Sequence, residues 1–136
     1  MLAEALIVIP VVALFAIGIL EFGNVLWQRH QLQTGVRDAA RYWSRCRPGF
    51  GSCSLDTARN IAFTGIPTTG GTLRIPNWDE ASELEIEPVT PPTVPLATDL
   101  VTVTGSVDYQ GSPLFNLLMD ETFTIQYAHQ ERYIGW

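Results

Sequence analysis

The sequence has no lysine: its positive charge is eight arginines, set against 14 acidic residues for a net charge of −6. That balance disfavours nucleic acid as a partner, because a nucleic-acid-binding surface shows itself as a basic patch or stripe. Histidine is nearly absent, with only His30 and His129. Neither stands in a recognisable nucleophile motif, and a lone histidine is more often structural or exposed than catalytic. There is no Gly-rich phosphate loop, no His-Glu-x-x-His and no nucleophile elbow. The sequence therefore points away from an enzyme and offers no catalytic residue, no metal ligand and no cofactor. The two cysteines, Cys46 and Cys53, lack the Cys-x-x-Cys redox spacing and have no histidine close by in sequence. Across the turn-rich Arg-Pro-Gly-Phe-Gly-Ser between them, a disulfide is the preferred reading for an exported domain with a small core.

Also missing is any charged or hydrogen-bonding side chain from Ala5 to Leu20, a run of sixteen residues. A helix apolar on every side has no solvated face, so it belongs in lipid or in a wholly protein-lined core. A spanning helix wants about 20 apolar residues. Adding Met1 to Ala3 and Phe22 to Trp27 supplies the length but puts Glu4 and Glu21 in or at the edge of the hydrocarbon, where a carboxylate is costly without a partner. The nearest positive group to Glu4 is an amine at Met1. Within one helix that pairing is a modest local effect; in a stack of such helices the amine of one copy meets Glu4 of the next and sets a register. The other reading is that Glu4 only marks the membrane interface. Pro10 is expected to break or kink the helix near Leu6 to Ile9, and Gly18 to weaken it further along. Without a basic n-region or a small-residue cleavage site after Leu20, the segment does not read as a signal peptide.

Beyond Leu20 the pattern becomes amphipathic. Val25, Leu32, Val36, Ala39 and Trp43 recur at helical spacing, while Gln28, Arg29, Gln33, Arg37, Asp38 and Arg41 are assigned to other faces. One continuous helix is expected to leave an apolar environment over residues 1–27 and to continue as an amphipathic segment over 28–47. Its stripe at Leu32, Val36 and Trp43 would pack on a small acidic globular domain, 48–136. Charge divides at the same place. Through Arg47 there are five Arg against Glu4, Glu21 and Asp38, giving +2; from Pro48 onward there are three Arg against eleven acids, giving −8. A basic helix and an acidic head invite attraction between subunits, although any single exposed pair contributes only about 0–1 kcal/mol.

The ordered set Ala3-Glu4-Ala5-Leu6, Ile9-Pro10, Gly18-Ile19-Leu20-Glu21-Phe22-Gly23, Gln31-Leu32-Gln33 and Val36-Arg37-Asp38-Ala39-Ala40-Arg41 resembles the N-terminal signature of TadE-like pseudopilins of the tight-adherence branch of type IV pili. The resemblance covers about a third of the chain. It implies a precursor cut after a glycine by a prepilin peptidase, a wait in the bacterial cytoplasmic membrane, and incorporation with identical subunits into an extracellular filament by a pilus assembly machinery. Glu4 then stands where the family has its near-terminal glutamate, although type IV pilins usually place that glutamate fifth. The assembly residues it implies are Met1, Glu4, Pro10, Gly18 and Glu21. Competing expectations are a membrane-anchored minor pseudopilin that primes or caps assembly, or a non-polymerising exported binding domain on a single-pass anchor.

The remainder reads as one small domain, about ninety residues in which to build a core. Ser54 to Phe63 is expected as a short helix capped by Ser54 and stopped by Gly65, and Thr72 to Ile75 as a possible short strand. Glu83 to Glu87 alternates acid and apolar residues, the period of a half-exposed strand and a poor calcium cage. After the stiff proline-rich stretch Pro88 to Pro95, Leu100 to Tyr109 is the strongest strand. Gly111 to Glu121 reads as a turn with a brief apolar excursion, and Phe123 to Tyr133 alternates again. The fold class is α+β: a pilin-like long helix packed by its second half on a small antiparallel sheet that carries Ile86, Val101, Val103, Phe123 and Ile125.

Overall fold

The structure is a computed structural model that describes residues 2–47, 49, 53–118 and 122–135. Helix α1, Leu2–Ser44, is continuous, and at 1.5 Å per residue it is about 65 Å long. Pro10 costs the ladder one donor, yet α1 runs uninterrupted through it. The helix is not interrupted near Leu6 to Ile9: one missing donor does not end a long helix whose flanking turns keep theirs. From Glu4 to Leu20 the helix stands almost wholly outside the rest of the fold, with Leu6 76% and Ile19 72% exposed. From Leu32 onward the same helix is a core element. Leu32, Val36, Ala39, Ala40 and Trp43 are buried, at the spacing that puts residues on one helical face.

Helix α2, Leu55–Thr64, packs against α1. Ser54 caps it, its hydroxyl oxygen accepting from the Thr57 amide at 3.1 Å, and Gly65 ends it in the left-handed conformation with its N–H donated to the Ile61 carbonyl. The two helices touch at Gly35. A methyl there would meet the Ala62 carbonyl oxygen and come within 2.8 Å of the buried Trp78 ring. Trp78 in turn lies edge-on to Phe63 at 4.9 Å between ring centres.

A turn of 3-10 helix, Ala81–Glu83, leads into β1, Leu84–Glu87; β2, Leu100–Asp108, and β3, Thr124–Arg132, follow, with the six-residue α3, Pro113–Leu118, between them. The sheet has order β1-β2-β3 and is antiparallel throughout. Ile86 pairs with Val103, Val107 with Ile125, and Leu84 with Gly105. These inward residues face α1, and Gly105 is where the two layers come closest: a Cβ there would lie 2.6 Å from Val36 Cγ2 and 3.0 Å from Leu32 Cδ1. The outward row carries Glu85, Glu87, Gln126, Ala128 and Gln130, all exposed. This is one sheet covered on one side, the arrangement in which a strand alternates buried and solvated residues.

Two expectations fail locally. Thr72 to Ile75 is not a strand: Arg74 donates its N–H to the Phe63 carbonyl at 2.7 Å and its guanidinium to Asp38 at 2.6 Å, so the segment is tied to two helices and not to a sheet edge. Phe123 does not enter the core. It lies just before β3, 44% exposed, and stacks on Tyr109 with ring centres 4.8 Å apart.

The close approach at Gly35 makes a sharp prediction. Gly35→Ala will destabilise the head by about 1–3 kcal/mol, as overpacking of a filled interior does. Gly18→Ala, whose added methyl meets nothing within 4 Å, will leave it unchanged. Thermal unfolding of the detergent-solubilised chain, followed by tryptophan fluorescence, reads both.

Candidate functional site

The candidate functional element is the free half of α1 together with the joint that holds it to the head. That joint is polar. Glu21, Asn24 and Gln28 lie on the α1 face that Leu32 and Val36 continue, and all three turn toward the segment that leaves β2. Glu21 accepts a short hydrogen bond from the Tyr109 hydroxyl and one from the Ser112 amide at 3.1 Å. Asn24 donates to the Tyr109 hydroxyl and to the Gln110 carbonyl, each at 3.1 Å. Gln28 donates to the same carbonyl at 2.9 Å and accepts from the Gln110 amide at 3.3 Å. Glu21 is 6% and Gln28 2% exposed. Gln28 was expected on another face than the apolar stripe; it is in fact the stripe's polar lower end, because an irregular chain segment there needs hydrogen-bond partners when buried.

Tyr109 is the pivot of this joint. It sits between Phe123 and Phe115, the latter edge-on at 6.0 Å. Burial, and then the hydrogen bond to Glu21, push its phenol up to about 12, so it remains an O–H donor at every physiological pH. Ser112 also starts α3, accepting from the Phe115 amide through its hydroxyl at 3.2 Å.

The joint also resolves the length of the apolar rod. Because Glu21 is satisfied by the head, the side of α1 facing away from it stays apolar beyond Leu20, through exposed Phe22, Leu26 and Trp27. From Ala5 to Trp27 that face is about 34 Å long at 1.5 Å per residue, enough for a hydrocarbon layer of about 30 Å. By length and composition α1 is a candidate membrane span. Glu4 is exposed near its start, and Pro10 and Gly18 lie within the exposed rod; Met1 is outside the described residues.

At the other end of α1 the chain terminus and the cysteines meet. Ser44's carbonyl accepts from the Ile134 and Gly135 amides at 2.9 and 3.2 Å, and the Tyr133 hydroxyl donates to the Cys46 carbonyl. Trp43 Nε1 donates to the Pro88 carbonyl at 2.8 Å, fastening the proline-rich loop. Cys46 is buried and Cys53 half-buried. Both are thiols here, and both line one small open hollow with Arg41, Tyr42 and Arg45. Burial, and then the adjoining Cys53 sulfur, push the Cys46 thiol up to about 12.

The sequence's other candidates are scattered. His30 is exposed on α1; His129 lies in β3, stacked on Tyr127 at 6.4 Å. Trp78, Tyr109 and Tyr133 are buried in the core. An open groove of about 620 Å³ beside Glu87, Thr90, Asp99 and Tyr133 gathers no set of converging catalytic groups. Among the described residues no cluster of three or more His, Cys, Asp or Glu side chains is placed to hold a metal.

Residues 1–41 match the family model described as TadE-like protein. The match ends just short of Trp43 and so takes in the apolar rod, the α1 side of the joint and most of the buried stripe, but none of the sheet. The similarity to TadE-like proteins therefore rests on less than a third of the chain. No curated protein and no solved structure matches the chain.

The joint predicts its own weak point. Tyr109→Phe keeps the ring packing but leaves the buried Glu21 oxygen without its hydroxyl donor, a loss of about 1–3 kcal/mol. Thermal unfolding of the full chain in detergent will show the lower midpoint, and Glu21→Gln combined with Tyr109→Phe will lose less than the two single changes added together.

Proposed function

We propose that this chain is the structural subunit of a tight-adherence pilus filament, polymerising through the apolar half of α1 with identical subunits. The observation that carries the reading is the rod itself: Leu6, Ile7, Ile9, Phe15, Ile19 and Leu20 are all more than two-thirds exposed, or close to it, on a helix whose other half is firmly built into a head. Each such side chain gains about 1.5–3 kcal/mol on leaving water, so the rod needs lipid or other protein around it. The cytoplasmic membrane would house it before assembly, after a prepilin peptidase has trimmed the precursor, and neighbouring rods would replace the lipid in an extracellular filament. Glu4 would then pair with the N-terminal amine of an adjacent copy and disfavour slipped registers, while Pro10 and Gly18 permit local unwinding during extraction.

The test is to image surface filaments and identify their main component by mass spectrometry. Filaments built mainly from this chain support the reading. A chain present only in trace amounts would be a priming or capping pseudopilin, and one found only as membrane-resident monomers a non-polymerising binding domain; either result overturns it. Within the filament, Glu4→Ala will lower yield several-fold with the head still folded, and an unchanged yield removes Glu4 from the mechanism.

We further propose that Cys46 and Cys53 join once the head is exported. The more exposed Cys53 thiolate would attack the disulfide of a thiol oxidoreductase. Cys46 would then displace that enzyme from the mixed disulfide, releasing it as a dithiol. The exported protein will be lighter than the reduced chain by two hydrogens, and reductant will lower its unfolding temperature; an unchanged mass would leave the pair as thiols.

A further inference from the structure

The head is a single sheet with α1 on one side, and its two outer surfaces carry opposite charge. On the solvent side of α1, Arg37 and Arg41 are exposed one helical turn apart, turned away from the buried Leu32, Val36 and Trp43, and Arg45 is exposed in the turn just past Ser44, its N–H donated to the Tyr42 carbonyl at 3.2 Å. Asp38, also on α1, is engaged by Arg74 at 2.6 Å, and Glu131 of β3 stands half-buried in the sheet row that holds Tyr127, forming no ion pair among the described residues. Arg37 is already oriented, its guanidinium over the Tyr127 ring at 5.7 Å and its Nε donating to the Tyr127 hydroxyl at 3.2 Å. On the opposite surface Glu85 and Glu87 project outward from the edge strand β1, flanked by uncharged Thr102 and Thr104 of β2. Arg132 stands two strands across the sheet and one row beyond Glu87. Among the described residues neither Arg41 and Arg45 nor Glu85 and Glu87 has an ion-pair partner within the chain.

We propose that the outer sheet face at Glu85 and Glu87 docks on the arginine ridge of α1 in a second copy of this chain. The proposal rests on the filament reading and names the head contact within it. Spacing supports it. Arginines one helical turn apart are about 6 Å apart along the axis, and glutamates two residues apart on a strand are about 7 Å apart, so two pairs can form in one register. Topology supports it as well. A contact between two different surfaces on opposite sides of a subunit is heterologous: each copy added leaves one ridge and one sheet face free, and the assembly stays open-ended unless its rotation closes a ring. An isologous dimer would bring ridge to ridge or acid to acid and is disfavoured by like charge. Individually such rim pairs are weak, and they act by repeating along the filament and by excluding wrong contacts.

Charge reversal tests this. Arg41→Glu with Arg45→Glu, and separately Glu85→Arg with Glu87→Arg, will each lower filament yield about tenfold or more, since each puts like charges opposite one another at every copy of the contact. The four changes together will restore most of it. Unfolding midpoints of the purified chains, matching wild type, will show that the heads are intact. If a reversed pair fails to fold, Arg41→Gln with Arg45→Gln and Glu85→Gln with Glu87→Gln replace the reversals, each expected to lower yield several-fold. Wild-type filaments combined with reversed or neutralised variants that assemble normally would overturn the docking contact alone, as would a fourfold variant that stays defective after both folded reversals fail. Absence of wild-type filaments would overturn the filament reading beneath it.

Discussion

A buried carboxylate marks the point at which α1 changes occupation. Below Glu21 every side chain back to Ala5 is apolar or glycine, and among the described residues almost nothing covers that run; above Glu21 the helix is progressively sealed by the head. Such a change of environment normally leaves a charge exposed to the wrong medium. Here the Tyr109 hydroxyl and the Ser112 amide supply the donors that water would otherwise give, and Asn24 and Gln28 carry the same hydrogen bonding two turns upward. The direction in which the rod leaves the head is therefore set by hydrogen bonds with defined geometry, and not by apolar contact alone, which is non-directional. In the proposed filament, a subunit presenting its head at one angle to many neighbours would need that directional element.

The rod's apolarity explains why it avoids water but not why it would prefer protein to lipid. Lipid tails are as apolar as leucine, so helices in a bilayer associate through packing and polar contacts with little hydrophobic gain. In the proposed filament, the discrimination between lipid and neighbour falls to the features that interrupt the run: Glu4, whose carboxylate is poorly served by hydrocarbon, Gly18, which gives an open spot on the surface where another backbone can approach, and the head contacts. The long helix is thus uniform where it must be tolerated by two media and particular where it must choose between them.

Much of this was legible in the sequence because it is local or periodic. Leu32, Val36 and Trp43 repeat at helical spacing and are buried; Ser54 and Gly65 delimit α2 by capping chemistry that a few residues specify; the alternation in 84–87, 100–108 and 124–132 marks three strands. The joint was not legible. Glu21, Asn24 and Gln28 share a face at helical spacing, which is the available signal, but a polar face on a helix reads as solvated unless one knows that Tyr109 to Ser112, more than eighty residues on, arrives to meet it. The same lack of long-range information hid the pairing of Asp38 with Arg74, which pulls 72–75 away from any strand, and the use of Gly35 and Gly105 as contact points for Trp78 and Val36.

Those two glycines also limit how the head can be altered. Gly35 lets α2 and Trp78 close on one side of α1, and Gly105 lets β2 close on another, so the helix is gripped from two directions at about the same height. Where the head encloses its apolar face, α1 turns Arg37 and Arg41 to solvent, while the sheet that encloses it turns out its own polar face. The charge division between the first 47 residues and the rest is therefore converted by the fold into a division between two opposite surfaces. A second helical layer over the sheet would have buried the acidic face and removed that polarity. The thinness of the head is what gives it a front and a back.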